Sequence, residues 1–165
     1  MPSSYSSNLR LTLMANGENA NTWGTITNTN WNLIEQKASS YLSVALADGQ
    51  NVLTANNGSS DQNRRAALAF TGALTTATSV VVAAGASNWW FMKNSTTGVS
   101  SIRVKTSGNT GYALPNDGQF YALVTDGTSV FSAAGVPGTV SVSALTANTL
   151  TANSFYSPAV SITGG

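Results

Sequence analysis

Cysteine and histidine are both absent from this 165-residue chain, and charge is scarce: Asp, Glu, Lys and Arg together make up 8% of it, against roughly 25% in average soluble domains. Without cysteine there is no disulfide, no thiolate nucleophile and no Cys-ligated zinc or iron–sulfur centre. Without histidine there is no Ser-His-Asp triad, no imidazole acid–base chemistry and no His-ligated metal. A formal net charge of +1 supplies no global field for nucleic acid or anionic lipid, and the Arg64-Arg65 pair reads as a solvated face rather than a phosphate site. No apolar run approaches the roughly 20 residues that span a bilayer. Met1 to Ala20 holds no apolar core of signal-peptide length either, so neither membrane insertion nor conventional secretion is expected.

Carboxylates are few: Glu18, Glu35, Asp48, Asp61, Asp117 and Asp126 are the six in the chain. A carboxylate pair could serve a glycosidase or lyase. Asp48, Asp117 and Asp126, however, each precede glycine in a turn, and Glu35 falls on a helix, so turn-forming and surface roles account for them. No Asp-x-Asp-x-Asp-Gly calcium loop occurs. The expectation is a protein that is not an enzyme, with no cofactor and no metal.

What is present is 42% hydrophobic residues set among Ser, Thr, Asn and Ala, which favours strands, turns and lateral packing. A surface so poor in charge suits a subunit largely covered by its neighbours. Three regions separate by pattern. In residues 1–42, Leu9, Leu11 and Leu13 alternate as in a short strand. An Asn/Thr cluster at Thr27 to Asn30 then suits a helix cap, and Trp31, Ile34, Ala38 and Tyr41 follow at spacings of three and four as one face of a single helix. Trp23 and Trp31 are expected to pack that helix. In residues 43–134 the candidate strands are Leu42–Ala47, Asn51–Ala55, Arg65–Thr71, Ser79–Ala84, Trp89–Lys93, Ser101–Thr106, Gln119–Thr125 and Ser129–Ala133. Turn pairs such as Asp48-Gly49, Asn57-Gly58 and Asp126-Gly127 punctuate them. Short strands at this spacing predict an antiparallel β-sandwich-like domain, with a hairpin across Asp126-Gly127. Trp89-Trp90-Phe91 puts large rings on both faces of one strand, so Trp89 and Trp90 are candidate interface residues.

Residues 135–165 form the third region. Val140, Leu145, Leu150, Phe155 and Val160 recur at every fifth position, and Leu-Thr-Ala-Asn occurs twice. That step fits neither a helix nor one flat strand, and so few large apolar groups cannot close a core alone. Such repeats stabilise by stacking or by winding with identical chains, which makes those five residues candidate contacts between chains. A single-chain pentapeptide-repeat β-helix is the rival for this stretch, but its Ala and Asn positions are shifted by one here.

The run Leu9-Arg10-Leu11-Thr12-Leu13-Met14-Ala15-Asn16-Gly17-Glu18-Asn19, followed by Thr22-Trp23-Gly24 and Thr27-Asn28-Thr29-Asn30, resembles the opening of a group of phage tail-fibre and tail structural proteins. Ile34-Glu35-Gln36, Tyr41 to Val44, Val104 to Gly108 and Thr125 to Thr128 extend the resemblance. It implies a mainly β virion protein that carries host-recognition elements and is localised to the tail. Its N-terminal part, with Leu9, Arg10, Leu11, Trp23 and Trp31, would attach to a tail adaptor, hub or nozzle protein. Its C-terminal part would lead into a β-rich homotrimeric stalk. Thr163-Gly164-Gly165 stands directly after the repeat with no receptor-binding tip, so either the sequence is a portion of a longer chain or a downstream fibre or receptor-binding protein continues it as a further partner. The alternatives are a carbohydrate-binding host-recognition module or another baseplate component.

Overall fold

The computed structural model describes residues 2–99 and 101–133. In chain order it forms β1 (Ser4–Tyr5), β2 (Thr12–Leu13), α1 (Trp23–Ser39), β3 (Tyr41–Ala45), β4 (Gln50–Val52), β5 (Ala67–Ala73) and β6 (Ser79–Val81). There follow β7 (Asn88–Thr97), β8 (Ser101–Lys105), β9 (Tyr112–Pro115), β10 (Phe120–Thr125) and β11 (Val130–Ser132). The protein is mainly β with one helix. No helix among the described residues is long and apolar enough to cross a membrane.

Strand alternation sets the layers. Along β7, Trp90, Met92, Asn94 and Thr96 are buried while Trp89 and Phe91 are exposed, the period of two that a pleated strand dictates. One sheet has the order β11-β10-β7-β5-β3 and the other β4-β6-β8-β9. Their inner faces share a core in which Val44, Phe70, Trp90, Met92 and Leu123 face Leu53, Val80, Ile102, Val104 and Leu114. Each large aliphatic or aromatic group removed from water here contributes about 1.5–3 kcal/mol.

The sheets depart from the expected antiparallel arrangement. β3, β5 and β7 pair in parallel, as do β4, β6 and β8, while β9, β10 and β11 add antiparallel edges. Parallel neighbours need a crossover, and here each crossover is a strand of the opposite sheet. The chain therefore winds three times between two layers, stacking Tyr41 on Ala67 on Phe91 and Gln50 on Ser79 on Arg103. Asp48-Gly49 does not fold β3 back on itself. The Asp48 carboxylate instead accepts from the Thr75 and Thr76 amides at 2.8 and 3.2 Å and from the Thr75 hydroxyl at 2.6 Å, tying one corner to the next. The Asp126-Gly127 hairpin between β10 and β11 is antiparallel, as its sequence predicts.

The helix starts at Trp23, earlier than the Asn/Thr cluster suggests, so Thr27 to Asn30 lie inside it. Thr29 returns its hydroxyl to the Thr25 carbonyl at 2.9 Å. Asn30 sends its amide out, accepting from the Thr12 N–H at 3.0 Å and donating to the Thr12 carbonyl at 2.9 Å. Polar side chains inside a helix that find such partners do not end it.

Candidate functional site

The buried side of α1 is formed by Leu33 and Lys37. At about 100° per residue, Trp23, Trp31, Ile34 and Ala38 fall together on a neighbouring side. Trp23 and Trp31 are each 64% exposed and Ala38 is exposed, with Ile34 half-buried. The two tryptophans therefore do not pack the helix as their positions suggested, because the helix is turned on Leu33 and Lys37 instead.

Leu9, Arg10 and Leu11, the other candidate attachment residues, are half-buried in the link between β1 and β2. Arg10 takes the left-handed φ of 53° that closes this turn, and its carbonyl accepts from Gly58 at 2.8 Å. The Leu9 carbonyl accepts from Arg64 Nε at 3.0 Å. Arg64 is thus no solvated surface charge: its side chain is 3% exposed, and it also donates to the carbonyls of Ser59 and Asn56 at 2.5 and 2.9 Å. This backbone of Leu9 to Leu11 is a fixed support, and its side chains are not offered freely.

The outer face of the five-stranded sheet carries five further exposed rings. Tyr41, Trp89, Phe91, Phe120 and Phe131 lie between 44% and 59% exposed. The register aligns Tyr41, Ala67, Phe91 and Ala122 in one row, Ser43, Ala69, Lys93 and Phe120 in the next, and Trp89, Val124 and Phe131 in a third. Trp89 and Phe91 meet edge to face, their centroids 5.9 Å apart. Lys37 reaches in from α1, with Nζ 4.1 Å from the Trp89 ring centroid and donating to the Trp89 carbonyl. Burial lowers its pKa to about 8.

Trp90 does not belong to this surface. It is fully buried, with its indole N–H donating to the Asn63 carbonyl at 2.7 Å, because its position in β7 has the inward parity. Val140, Leu145, Leu150, Phe155 and Val160 lie outside the described residues. Alternation put Trp89 and Phe91 on one face and Trp90 on the other, and the Trp89 side is the exposed one. Tyr41, Phe120 and Phe131 were missed as surface partners, since only the strand order brings them to the same face.

The titratable groups of the turns are held by local hydrogen bonds. Thr75 and Thr76 lower the pKa of Asp48, and the Ser129 and Thr128 amides lower that of Asp126. The Tyr121 hydroxyl donates to Asp117, lowering the carboxyl pKa and raising that of the phenol to about 12. Among the described residues, no group of three or more Asp or Glu side chains is placed to hold a metal. In comparisons with known proteins, no family model, curated protein or solved structure matches the chain.

Proposed function

We propose that the chain is a non-enzymatic structural subunit of a phage tail fibre, attached to the tail by its N-terminal part and assembled as a homotrimer that carries host-recognition elements. The resemblance carried by Leu9 to Asn30 supplies the tail assignment. The single structural observation that favours it is the pair Trp23 and Trp31, each 64% exposed on the side of the helix next to its buried Leu33 and Lys37. Two large rings held out from a rigid element are what a docking anchor needs, since aromatic anchors dominate interface energetics.

In this reading α1 seats on a tail adaptor, hub or nozzle protein, and residues 135–165 continue into the stalk through Val140, Leu145, Leu150, Phe155 and Val160. Binding of the purified full chain to fibreless tails tests it, with electron microscopy counting copies per tail. The Trp23→Ala/Trp31→Ala pair is expected to lose tail binding while keeping its far-ultraviolet circular dichroism. Full tail binding by that variant would overturn the role of α1, and failure of the wild-type chain to bind any tail component would overturn the tail assignment.

The exposed rings favour one second reading, stacking against host-surface sugars. Glycan-array binding by the full chain, lost on Phe91→Ala but kept by Trp23→Ala/Trp31→Ala, would favour that carbohydrate-binding role.

A further inference from the structure

We propose that the outer face of the five-stranded sheet is the surface on which copies of this chain meet, the Trp89–Phe91 ridge of one copy seating in the hollow over Ala67 of the next. The inference rests on the homotrimer reading above and names the surface and the partner. Its first ground is shape. Across the row Tyr41, Ala67, Phe91, Ala122, large and small side chains alternate. Ala67, the floor of the hollow, stays half-buried between the exposed Tyr41 and Phe91. A ridge and a hollow on the same face give each copy both halves of a contact. Such a head-to-tail contact is heterologous and closes into a ring when the rotation permits, three members included.

The second ground is area. The five rings are about half exposed. Aromatic side chains present roughly 150–250 Å² each, so together they leave on the order of 500 Å² of apolar surface in water, near the upper limit for a monomer. With the intervening Ala, Val and Ser positions, the face approaches the roughly 800 Å² per partner of a standard interface.

The third ground is charge. The outward positions of β3, β5, β7, β10 and β11 include no Asp or Glu. Lys93 is a cation there, and its Nζ already lies 5.9 Å from the Phe120 ring centroid. A face without carboxylates offers little to select a charged partner, and it brings no carboxylate repulsion when two copies approach. The last described residue lies beside this face: the Ala133 amide donates to the Ala122 carbonyl at 2.8 Å. Residues 134–165, which the stalk reading joins between copies, follow directly.

The native absence of cysteine makes the test direct. Single Ser43→Cys and Ser101→Cys full-length chains, treated with a short thiol-to-thiol cross-linker, can join only to another copy. Ser43 lies on the proposed face, and Ser101 is exposed on the other sheet. Cross-linked species from Ser43→Cys and none from Ser101→Cys are expected. Phe91→Glu should weaken self-association, read by light scattering, on the order of 30-fold or more, a hot-spot loss. Equal cross-linking of both cysteine chains overturns the face. So does a cross-link-free Ser43→Cys chain that remains oligomeric, which leaves the homotrimer reading intact. A wild-type chain that is monomeric in light scattering overturns both. The cysteine pair decides the matter even where Phe91→Glu fails to fold.

Discussion

The Arg64 guanidinium and the Asp61 carboxylate stand 3.1 Å apart, their side chains 3% and 2% exposed. The N-terminal residues hang on this pair. Arg64 donates to the Leu9, Ser59 and Asn56 carbonyls, while Asp61 accepts from the Arg64 and Asn56 amides at 2.6 and 2.9 Å. One ion pair therefore joins β1–β2 to the loop that leads into β5, and through it the segment that resembles tail proteins is positioned against the sheets.

Replacing Arg64 with Leu leaves Asp61 buried without its counter-charge and three carbonyls without their donor. Breaking a buried pair in this way costs about 3–5 kcal/mol, and Arg64→Lys should recover little, because an ammonium cannot reproduce the planar fork. Urea unfolding gives the loss. Hydrogen exchange should show the Leu11 and Thr12 amides losing protection first. A change within about 0.5 kcal/mol, the range of ordinary surface substitutions, would contradict the anchoring role.

The stacked corners make a second prediction. Gly72 has φ +135° and Gly98 φ +87°, and a Cβ at either would run into the carbonyl of Leu46 or Leu74, respectively. Those carbonyls belong to the residues whose amides donate to Thr71 and Thr97 at 2.7 and 2.8 Å, holding adjacent turns of the chain together. Gly108 also has a positive φ, +80°, but opens onto free space. Gly108→Ala should therefore cost only the left-handed backbone term, about 1–2 kcal/mol. Gly72→Ala and Gly98→Ala should lower the thermal midpoint clearly further, and three equal midpoints would refute the close-stacking argument.

Lys37 gives a pH dependence whose sign is fixed by burial. Its folded pKa is about 8 against an ordinary 10.5, so between those values the unfolded chain holds a proton that the folded chain has released. Stability then rises with pH across that window. Tyr121, raised to about 12 from 10.0, acts in the opposite direction only at the alkaline end. Urea midpoints measured from pH 8 to 10 should climb in the wild type and stay level in Lys37→Met. A wild-type midpoint that is flat over this range would mean that the Trp89 ring and carbonyl fully compensate the ammonium for its lost water.

Strand positions were largely legible because alternation is a local signal: Ile102 and Val104 are buried while Ser101 and Arg103 are exposed. Parallel winding was not, since Asp48-Gly49 and Asn57-Gly58 have the same composition whether the chain turns back or crosses to the other sheet. β9 was missed, its pattern being only Tyr112, Leu114 and a Pro. The role of Arg64 was hidden for a related reason. Its acceptors come from residues 9, 56 and 59, and no spacing rule links them. The aromatic face was half legible: parity put Trp89 and Phe91 on one side of β7 without saying which side is exposed, and strand order was needed to add Tyr41, Phe120 and Phe131.

Trp89 and Trp90 are adjacent in sequence and opposite in consequence. Trp90 fills the centre of the core and satisfies the Asn63 carbonyl, so Trp90→Ala should cost about 3–5 kcal/mol. Trp90→Phe keeps most of the volume and removes one of two donors to that carbonyl, Asn88 Nδ2 remaining at 3.0 Å, so it should cost only about 0.5–1.5 kcal/mol. Trp89 is 44% exposed and touches Lys37 and Phe91 across the sheet's outer face. Trp89→Ala should therefore shift the stability of the unassociated chain by less than about 1 kcal/mol, near the surface range, yet weaken self-association. Chemical unfolding at several protein concentrations separates the two effects, because only a loss at the copy–copy surface changes how the midpoint depends on concentration. If Trp89→Ala lowered the midpoint equally at every concentration, the ring would be supporting the fold and not the assembly.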